Sequence, residues 1–285
     1  ACPVVALDSS GLAGSFADGW DKAARATLQT LSAEQCEVQA HTVNLIGMTD
    51  AYYNGGNDAR ELVRLLETAG YVVNAVFGND MTAAAIPHLT QAALNIVVHG
   101  ELGRGSAQLL EEMYGMPYIA PLPPYGRAGT RRWMREIARA LPPQHGDAAE
   151  TEIDRVTRED FLRINECKML WGELRYETAL IRAPHSAAWG LAQALRTEWA
   201  DVFHLVVAAE HVEAGAEKIA DEVLGETDAL RIQELLAGMD GGLLLGSSNE
   251  SAHIDPRTAE YFPVAYPVQD FLQLTDNPFM GLRGA

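Results

Sequence analysis

The sequence predicts an α/β protein made of two Rossmann-like domains with parallel sheets, joined by a helical connector. In the first half, three apolar runs of strand length alternate with helical patterns: VNLIGM (43–48), YVVNAVF (71–77) and LNIVVHG (94–100). Such alternation is typical of βαβ units, whose strands run parallel. The second half repeats the scheme, and a stretch rich in proline, glycine and acidic residues separates the halves at residues 142–154.

The first domain is predicted to span residues 1–141. CPVVALD (2–8) is a candidate strand, and a helix is expected from Asp21 to Leu31. Asp58 is predicted to cap the helix ARELVRLLETAG, and Gly70 stands where a glycine commonly ends a helix. The later elements are a helix over TAAAIPHLTQAA that Pro87 interrupts or restarts, a helix over SAQLLEEMYG, a short strand in PYIAPLPPYG and a closing helix over RAGTRRWMREIARAL.

The connector is predicted at residues 142–175 and the second domain at residues 176–285. The connector should end in a long helix, because apolar residues recur at helical spacing: Phe161, Ile164, Met169, Leu170 and Leu174. The strands predicted for the second domain are ETALIRA (177–183), VFHLVVAA (202–209) and GLLLGSS (242–248). Its helices are predicted over PHSAAWGLAQALRTEWA, VEAGAEKIADEVL and ALRIQELLAG, with a further helix after Ser248.

Charge and cysteine content restrict the function. The net charge of −18, from 39 acidic against 21 basic residues, argues against nucleic acid or an anionic membrane as partner. No apolar run is long enough to cross a bilayer and the first residues do not resemble a signal peptide, so we expect a soluble, cytoplasmic protein. Cys2, Cys36 and Cys167 are widely spaced, which predicts free thiols and neither a disulfide framework nor a zinc site.

Ligands of parallel sheets bind at the carboxyl ends of the strands, so candidate site residues are sought in the loops that follow them. The sequence has no GxSxG, P-loop, HExxH or GxGxxG motif in a suitable position. Candidates at strand ends are His99 with Glu101, and His185, each able to serve as acid, base or ligand. In GSSNES (246–251), Ser247 and Ser248 could bind an anion or could simply cap a helix.

The order of several short motifs resembles the catalytic-component subunits of nitrogenases and nitrogenase-like reductases. The matching elements are VNLIGM, ARELVRLLETAGYVVNAVF, ALNIVV and LLEEMYGMPYIAPLPPYGRAGTRRWMREIA. The opening LDSSGLAGSFADGWDKA is similar to the β-type members, and this similarity makes Ser15 a further candidate binding residue. GLLLGSSNE, YPVQDF and NPFMGLRGA look like the C-terminal elements of the tetrapyrrole-reducing relatives.

The resemblance implies a β-type subunit that works with two partners. An ATP-hydrolysing iron protein would supply electrons, and an α-type subunit would share an iron–sulfur cluster and enclose the substrate with this chain. Thiolates hold such clusters because soft sulfur ligands suit iron. The sequence departs from the family here, because none of its three cysteines matches a cluster ligand; the cluster is expected outside this segment, and no metal ligand is assigned.

The expected contribution of this chain is therefore the shape of a cleft. The strand-end loops at residues 9–19, 49–57, 99–105, 121–129, 184–186 and 246–253 are predicted to wall it. Two other functions stay open: a cofactor-assembly scaffold of the same family, and a small-molecule binding module whose two α/β lobes close about a hinge.

Overall fold

The structure, a computed structural model, describes residues 4–7, 14–79, 81–209, 218–225, 228–272 and 274–284. It confirms the α/β class with two parallel sheets. We call the part built around the first sheet the first lobe and the part built around the second sheet the second lobe. The domain boundaries at residues 141 and 176 stay a prediction.

In the first lobe, the described strands form a parallel sheet in the order β2-β1-β3-β4. The strands are β1 (Gln39–Ile46), β2 (Val72–Phe77), β3 (Ala92–Val97) and β4 (Tyr118–Ile119). The helices are α1 (Phe16–Leu31), α2 (Gly55–Thr68), α3 (Gly100–Tyr114) and α4 (Gly126–Ala140), with a 3₁₀ helix at Ala83–Gln91 before β3. Helix α5 (Ala148–Trp171) connects the lobes.

In the second lobe, the described strands are also parallel, in the order β7-β6-β5-β8-β9. The strands are β5 (Arg175–Arg182), β6 (Asp201–Ala208), β7 (Glu222–Leu224), β8 (Gly242–Gly246) and β9 (Ala259–Pro263). The helices are α6 (His185–Ala194), which continues as a π-helix at Leu195–Trp199, α7 (Ala229–Ala237) and α8 (Ser248–Ser251). Counted from β5, this is the strand order 3-2-1-4-5 of the Rossmann fold.

Several predicted helix or strand limits in the first lobe are wrong, including the start of α3, which lies at Gly100 and not at Ser106. Val4 to Leu7 form no strand, because the described part of the sheet ends at β2 and β4, and Val4 is 84% exposed. Helix α1 begins at Phe16, well before Asp21, because Ser15 and Asp18 form a capping box. Asp58 does not cap α2, which already begins at Gly55, and its side chain is buried.

The second lobe and the connector also depart from the predictions. Glu222–Leu224 is a strand where a helix was expected; the first part of that predicted helix, residues 212–217, lies outside the described residues. Strand β9 was not predicted. The long helix predicted at the end of the connector is present as α5, but it begins earlier, at Ala148. Its residues Phe161 and Met169 are 62% and 88% exposed, whereas Ile153 is buried in the core that both lobes share.

Asparagines from neighbouring strands form a buried ladder across the first sheet. Asn44 on β1 donates to the side chain of Asn95 on β3 at 2.8 Å, and Asn74 on β2 donates to Asn44 at 2.9 Å. The same amide groups donate to the carbonyls of His88 and Leu89 in the 3₁₀ helix. A buried polar group that lacks a partner is costly, so this ladder fixes the 3₁₀ helix against the sheet.

The two lobes share one hydrophobic core. One continuous cluster of buried residues includes Leu45 of the first sheet, Ile181 of the second sheet and the fully buried rings of Trp133 on α4 and Trp189 on α6. Buried apolar area of this kind resists separation of the lobes, because opening them would expose it to water. The lobes are therefore packed as one body.

Substitution of Gly190 tests this packing. A Cβ atom at Gly190 of α6 would lie 2.5 Å from Cδ2 of Tyr125, whereas a Cβ at Gly19 of α1 would meet nothing within 4 Å. We expect Gly190→Ala to lower the free energy of unfolding by about 1–3 kcal/mol through overpacking. Gly19→Ala, the matched control, should leave it unchanged or raise it by about 0.5–1 kcal/mol because alanine favours a helix. Urea unfolding measures both, and equal effects would contradict this contact between the lobes.

Candidate functional site

The site lies where the carboxyl ends of the two sheets face each other. In each sheet the strand order reverses next to the first strand, between β1 and β3 in the first lobe and between β5 and β8 in the second. Such topological switch points leave a crevice between loops that depart in opposite directions, and ligands of open α/β sheets bind there. The loops that follow these four strands carry Tyr52, His99, Ser186 and Ser247, respectively.

Glu101 joins the two lobes. It lies in the first turn of α3, and its Oε1 atom accepts hydrogen bonds from the Tyr52 hydroxyl at 3.0 Å and from Ser186 Oγ at 3.1 Å. The backbone N–H of Ser186, in the first turn of α6, donates to both carboxylate oxygens at 3.3 Å. A carboxylate is favoured at this place because the N-termini of two helices, one from each lobe, present partial positive charge to it.

His99 extends this network. Its Nδ1 atom lies 2.8 Å from Ser186 Oγ, and its ring contacts the Tyr52 ring edge-on at a centroid distance of 4.8 Å. Because the Ser186 hydroxyl donates its proton to Glu101, we assign the proton at this contact to Nδ1 of His99. Burial lowers the pKa of His99, although the nearby Glu101 carboxylate opposes the shift. The imidazole is therefore neutral near pH 7.

A crevice of about 460 Å³ lies beside this network, along the carboxyl edge of the second sheet. Its floor comes from the second lobe and includes His185, Ser247 and small residues at the ends of β5 and β6. Its other wall is aromatic: Phe16, Tyr52, Tyr53 and Tyr266. The lining mixes aromatic and small apolar residues with the polar side chains of Arg182, His185, Asn249 and Glu250. A concave site of this size at the switch points of α/β sheets is a common place for a small molecule.

The charges in the crevice largely cancel. Arg182 Nη1 lies 3.2 Å from Oε1 of Glu250. The second oxygen of Glu250 accepts from the backbone N–H and the hydroxyl of Ser247 and so closes a capping box at α8. Arg182 is half exposed, so its guanidinium can exchange the Glu250 carboxylate for an anionic group of a ligand.

The structure brings together four of the six candidate residues. His185 and Ser247 line the crevice, while His99 and Glu101 form the network behind it. Ser15 caps α1 and donates to Asp18 instead of facing the crevice. Ser248 is turned away, since its hydroxyl donates to Asp270 and accepts from the backbone of Gln269. Their roles in binding a cofactor stay a prediction.

Several residues of the site were missed in the sequence. Tyr52 and Tyr53 lie in the loop TDAYYNGGND, which was singled out as a strand-end loop, but no pattern distinguishes a tyrosine that lines a site. Ser186 lies in the segment 184–186, which was predicted to wall the cleft, but the residue itself was not singled out. Tyr266 begins the segment YPVQDF, which contributed to the resemblance, but it was not assigned to the site because the strand before it, β9, was not predicted.

The described cysteines do not fit an iron–sulfur cluster. Cys36 directs its thiol to the carbonyl of Pro87, and Cys167 is exposed on α5. Among the described residues, no three His, Cys, Asp or Glu side chains are grouped as metal ligands.

None of the described helices has both the length and the hydropathy needed to cross a membrane.

Comparison with known proteins gives one consistent result. The sequence profile described as "Nitrogenase component 1 type Oxidoreductase" matches residues 1–285. The chain is 28% identical over 282 residues to the B subunit of the light-independent protochlorophyllide reductase of Synechococcus sp., covering 90% of the chain and 51% of the relative. It is 29% identical over 264 residues to the B subunit of the same reductase from Staurastrum punctulatum, covering 85% of the chain and 50% of the relative. The chain thus spans about half the length of these relatives.

Solved structures show the same fold. The structure described as "Nitrogenase Cp1 at pH 6.5" superposes with a TM-score of 0.73, over 95% of this chain and 62% of that chain, at 16% sequence identity. A second, "Nitrogenase Cp1 at pH 5", superposes with a TM-score of 0.71 over 96% of this chain and 60% of that chain, at 19% identity.

Removing the charge of Glu101 should weaken the contact between the lobes. Glu101→Gln keeps one acceptor oxygen but loses the charge-assisted bonds to Tyr52 and Ser186, so we expect the free energy of unfolding to fall by about 1.5–3 kcal/mol. Tyr52→Phe removes one donor and should cost about 1 kcal/mol. Glu111→Gln, on the exposed face of the same helix, is the control. Urea unfolding measures the free energy of unfolding of each variant. If Glu101→Gln and Glu111→Gln change it by the same amount, the network does not hold the lobes together.

Proposed function

The chain belongs to the nitrogenase component 1 type oxidoreductase family, and on this premise we propose that it is part of a β-type subunit of a nitrogenase-like catalytic component. Its complex would receive electrons from an ATP-hydrolysing iron protein in the cytoplasm. An iron–sulfur cluster held outside this segment would pass them on, and this chain would enclose the substrate together with an α-type partner subunit.

The observation that carries this proposal is the crevice between the facing switch points. It places His185, Ser247 and Arg182 at the edge of a cavity of about 460 Å³, opposite an aromatic wall formed by Phe16, Tyr52 and Tyr53 of the first lobe and Tyr266 of the second. Reductive chemistry on a bound molecule benefits from a site that fixes the substrate and excludes bulk water. The crevice supports both requirements.

Within the crevice, we assign positioning roles to the residues behind it. The neutral His99 and the carboxylate of Glu101 hold Tyr52 and the N-terminus of α6, and both of these border the cavity. From the second lobe, His185 borders the cavity as a candidate ligand contact, whereas the N–H and the hydroxyl of Ser247 already donate to Glu250. No reaction step is assigned through a cluster, because the described cysteines do not fit one.

The exposed apolar face of α5 supports a role as a subunit. Leu162 is 65% exposed and Met169 is 88% exposed, and seven positions apart they lie on the same side of the helix; Phe161 and Leu170 are also exposed. Exposed apolar side chains that are grouped on a surface commonly mark protein–protein contacts. We therefore place a subunit contact on α5.

The shared core weakens the alternative of a hinged binding module. Hinge closure requires lobes that separate easily, whereas one continuous cluster of buried residues joins Leu45 and Trp189 across the lobes here. A cofactor-assembly scaffold of the same family would differ from a reductase only in that it does not turn over substrate. The assay below distinguishes the two functions.

The assay uses the full-length protein that contains this chain, co-expressed with an α-type subunit of the same family. With the iron protein, dithionite and ATP, we expect iron–sulfur absorption in the complex and substrate reduction that stops when ATP is omitted. Bound iron without turnover of dinitrogen, a tetrapyrrole or another reducible test substrate would favour the scaffold. A complex that contains no iron would contradict the proposal.

The contact on α5 is tested in the same complex. Leu162→Glu and Met169→Glu each place a charge in the proposed contact, and we expect at least a tenfold loss of affinity between subunits, about 1.4 kcal/mol. Leu230→Glu, at a 77% exposed leucine on α7, is the matched control. Light scattering after size-exclusion chromatography measures the assembly. If all three variants assemble like the parent protein, α5 is not a subunit contact.

A further inference from the structure

Five consecutive backbone N–H groups near the C-terminus, at residues 279–283, all donate to the first lobe. We propose that these residues form a latch: they hold the aromatic wall of the crevice in place, and their release as one unit opens it. The latch concerns the protein's own closure, so it holds whichever ligand the crevice binds and does not depend on the reductase role.

Two buried carboxylates one turn apart on α2 hold the latch. Asp58 Oδ1 accepts from the N–H groups of residues 279 and 280 at 2.5 and 2.9 Å. Glu61 Oε1 accepts from those of residues 282 and 283 at 3.2 and 3.3 Å. The N–H of Gly281, between them, donates to the carbonyl of Pro124 at 2.9 Å. Because buried N–H groups and buried carboxyl oxygens are costly to leave without partners, the five bonds should form and break together.

The side chains of the latch fit the groove beneath them. Met280 is fully buried, Leu282 is 4% exposed, and the residue between them is a glycine with φ +74°. A Cβ atom at Gly281 would overlap Cγ of Glu61. Any side chain at this position would therefore be both conformationally strained and in collision with the carboxylate that anchors the latch.

The latch is connected to the crevice through Tyr53. The ring of Tyr53 contacts Phe279 of the latch at a centroid distance of 5.6 Å and Tyr266 at 5.5 Å. Tyr53 and Tyr266 both line the crevice. The chain just before Tyr266 is tied to the second lobe, where Val264 and Ala265 donate to the carbonyl of Gly246. Docking of the latch therefore draws a segment of the second lobe against the first.

A second connection runs behind the crevice through Tyr125. Tyr125 pairs with Met280 in an antiparallel bridge and packs on Gly190 of α6. Burial raises the pKa of Tyr125 well above its ordinary value, and the charges of Asp58 and Glu101 add to the shift. This residue thus lies between the carboxylate that holds the latch and the one that joins the lobes.

Asp58 also gives the latch a dependence on pH. Burial raises the pKa of Asp58 to about 7; the N–H groups of Met280 and Phe279 lower it, and the charge of Glu61 raises it further. Other charged or titratable groups around this pair are Arg64 on α2, Glu152 on α5, Arg283 in the latch and Tyr125. A released latch exposes Asp58 to water and returns its pKa toward 3.8. The docked state therefore binds the proton more tightly, so docking weakens as the pH rises from about 4 to about 7 and is constant above.

Hydrogen exchange on the whole chain tests the proposal. Peptides that cover residues 279–283 should show one common protection factor, which falls by up to about tenfold per pH unit as the pH rises toward 7. Asp58→Asn keeps an acceptor oxygen and should abolish this dependence on pH. Gly281→Ala should lower the protection at least tenfold. Gly115→Ala, at a glycine with φ +71° and no atom within 4 Å, is the matched control and should leave the latch unchanged.

Opening of the crevice is measured separately by thiol labelling. With Cys2, Cys36 and Cys167 replaced by serine, a cysteine is introduced at Ala265, which lines the crevice and is 8% exposed. Gly281→Ala should speed its reaction with iodoacetamide by the same factor as it lowers protection of the latch. Five unequal protection factors, or faster exchange in the latch with unchanged labelling at residue 265, would overturn the proposal. Near-ultraviolet circular dichroism excludes global unfolding. If Gly281→Ala does not fold, Asp58→Asn is used at about pH 8, where it lacks the charge that weakens docking; it should raise the protection of the latch and slow the labelling at residue 265 by the same factor.

Discussion

Beside the shared core, one carboxylate fixes how the sheet edges of the two lobes face each other. Glu101 belongs to a helix of the first lobe, yet two of its donors, the N–H and the hydroxyl of Ser186, belong to a helix of the second. A partly buried carboxylate is stable only where several donors meet it, and here the N-termini of α3 and α6 provide that environment. Since both helices begin at strand ends, satisfying Glu101 brings the carboxyl edges of the two sheets together, and the crevice follows from that arrangement.

The fold itself was largely predictable from the sequence. Alternating apolar runs located β1, β2, β3, β5, β6 and β8, because central parallel strands are buried on both faces and read as continuous apolar segments. Edge strands gave weaker patterns. β7 was read as a helix, and β9, with the pattern AEYFP, was missed because its side chains are partly exposed and its sequence is short and mixed.

The site was predictable only in part, for a physical reason. Strand ends identified His99, Glu101, His185 and Ser247, because topology alone places those residues at the sheet edges. Their partners depend on contacts between residues distant in sequence. Glu101 meets Ser186 across 85 positions, and Asp58 meets Met280 across 222. No local pattern reports such pairs, and the same limit explains why Asp58 was taken for a helix cap.

The packing of the two lobes as one body, with their sheet edges facing, can be measured directly. Cysteines are introduced at Gln29 on α1 and Gln233 on α7, both exposed, in a variant without other cysteines, and each is spin-labelled. Double electron–electron resonance then measures the distance between the two labels. A single narrow distance distribution is predicted. A broad or two-peaked distribution would show that the lobes separate in solution, and it would contradict both the shared core and the crevice that depends on it.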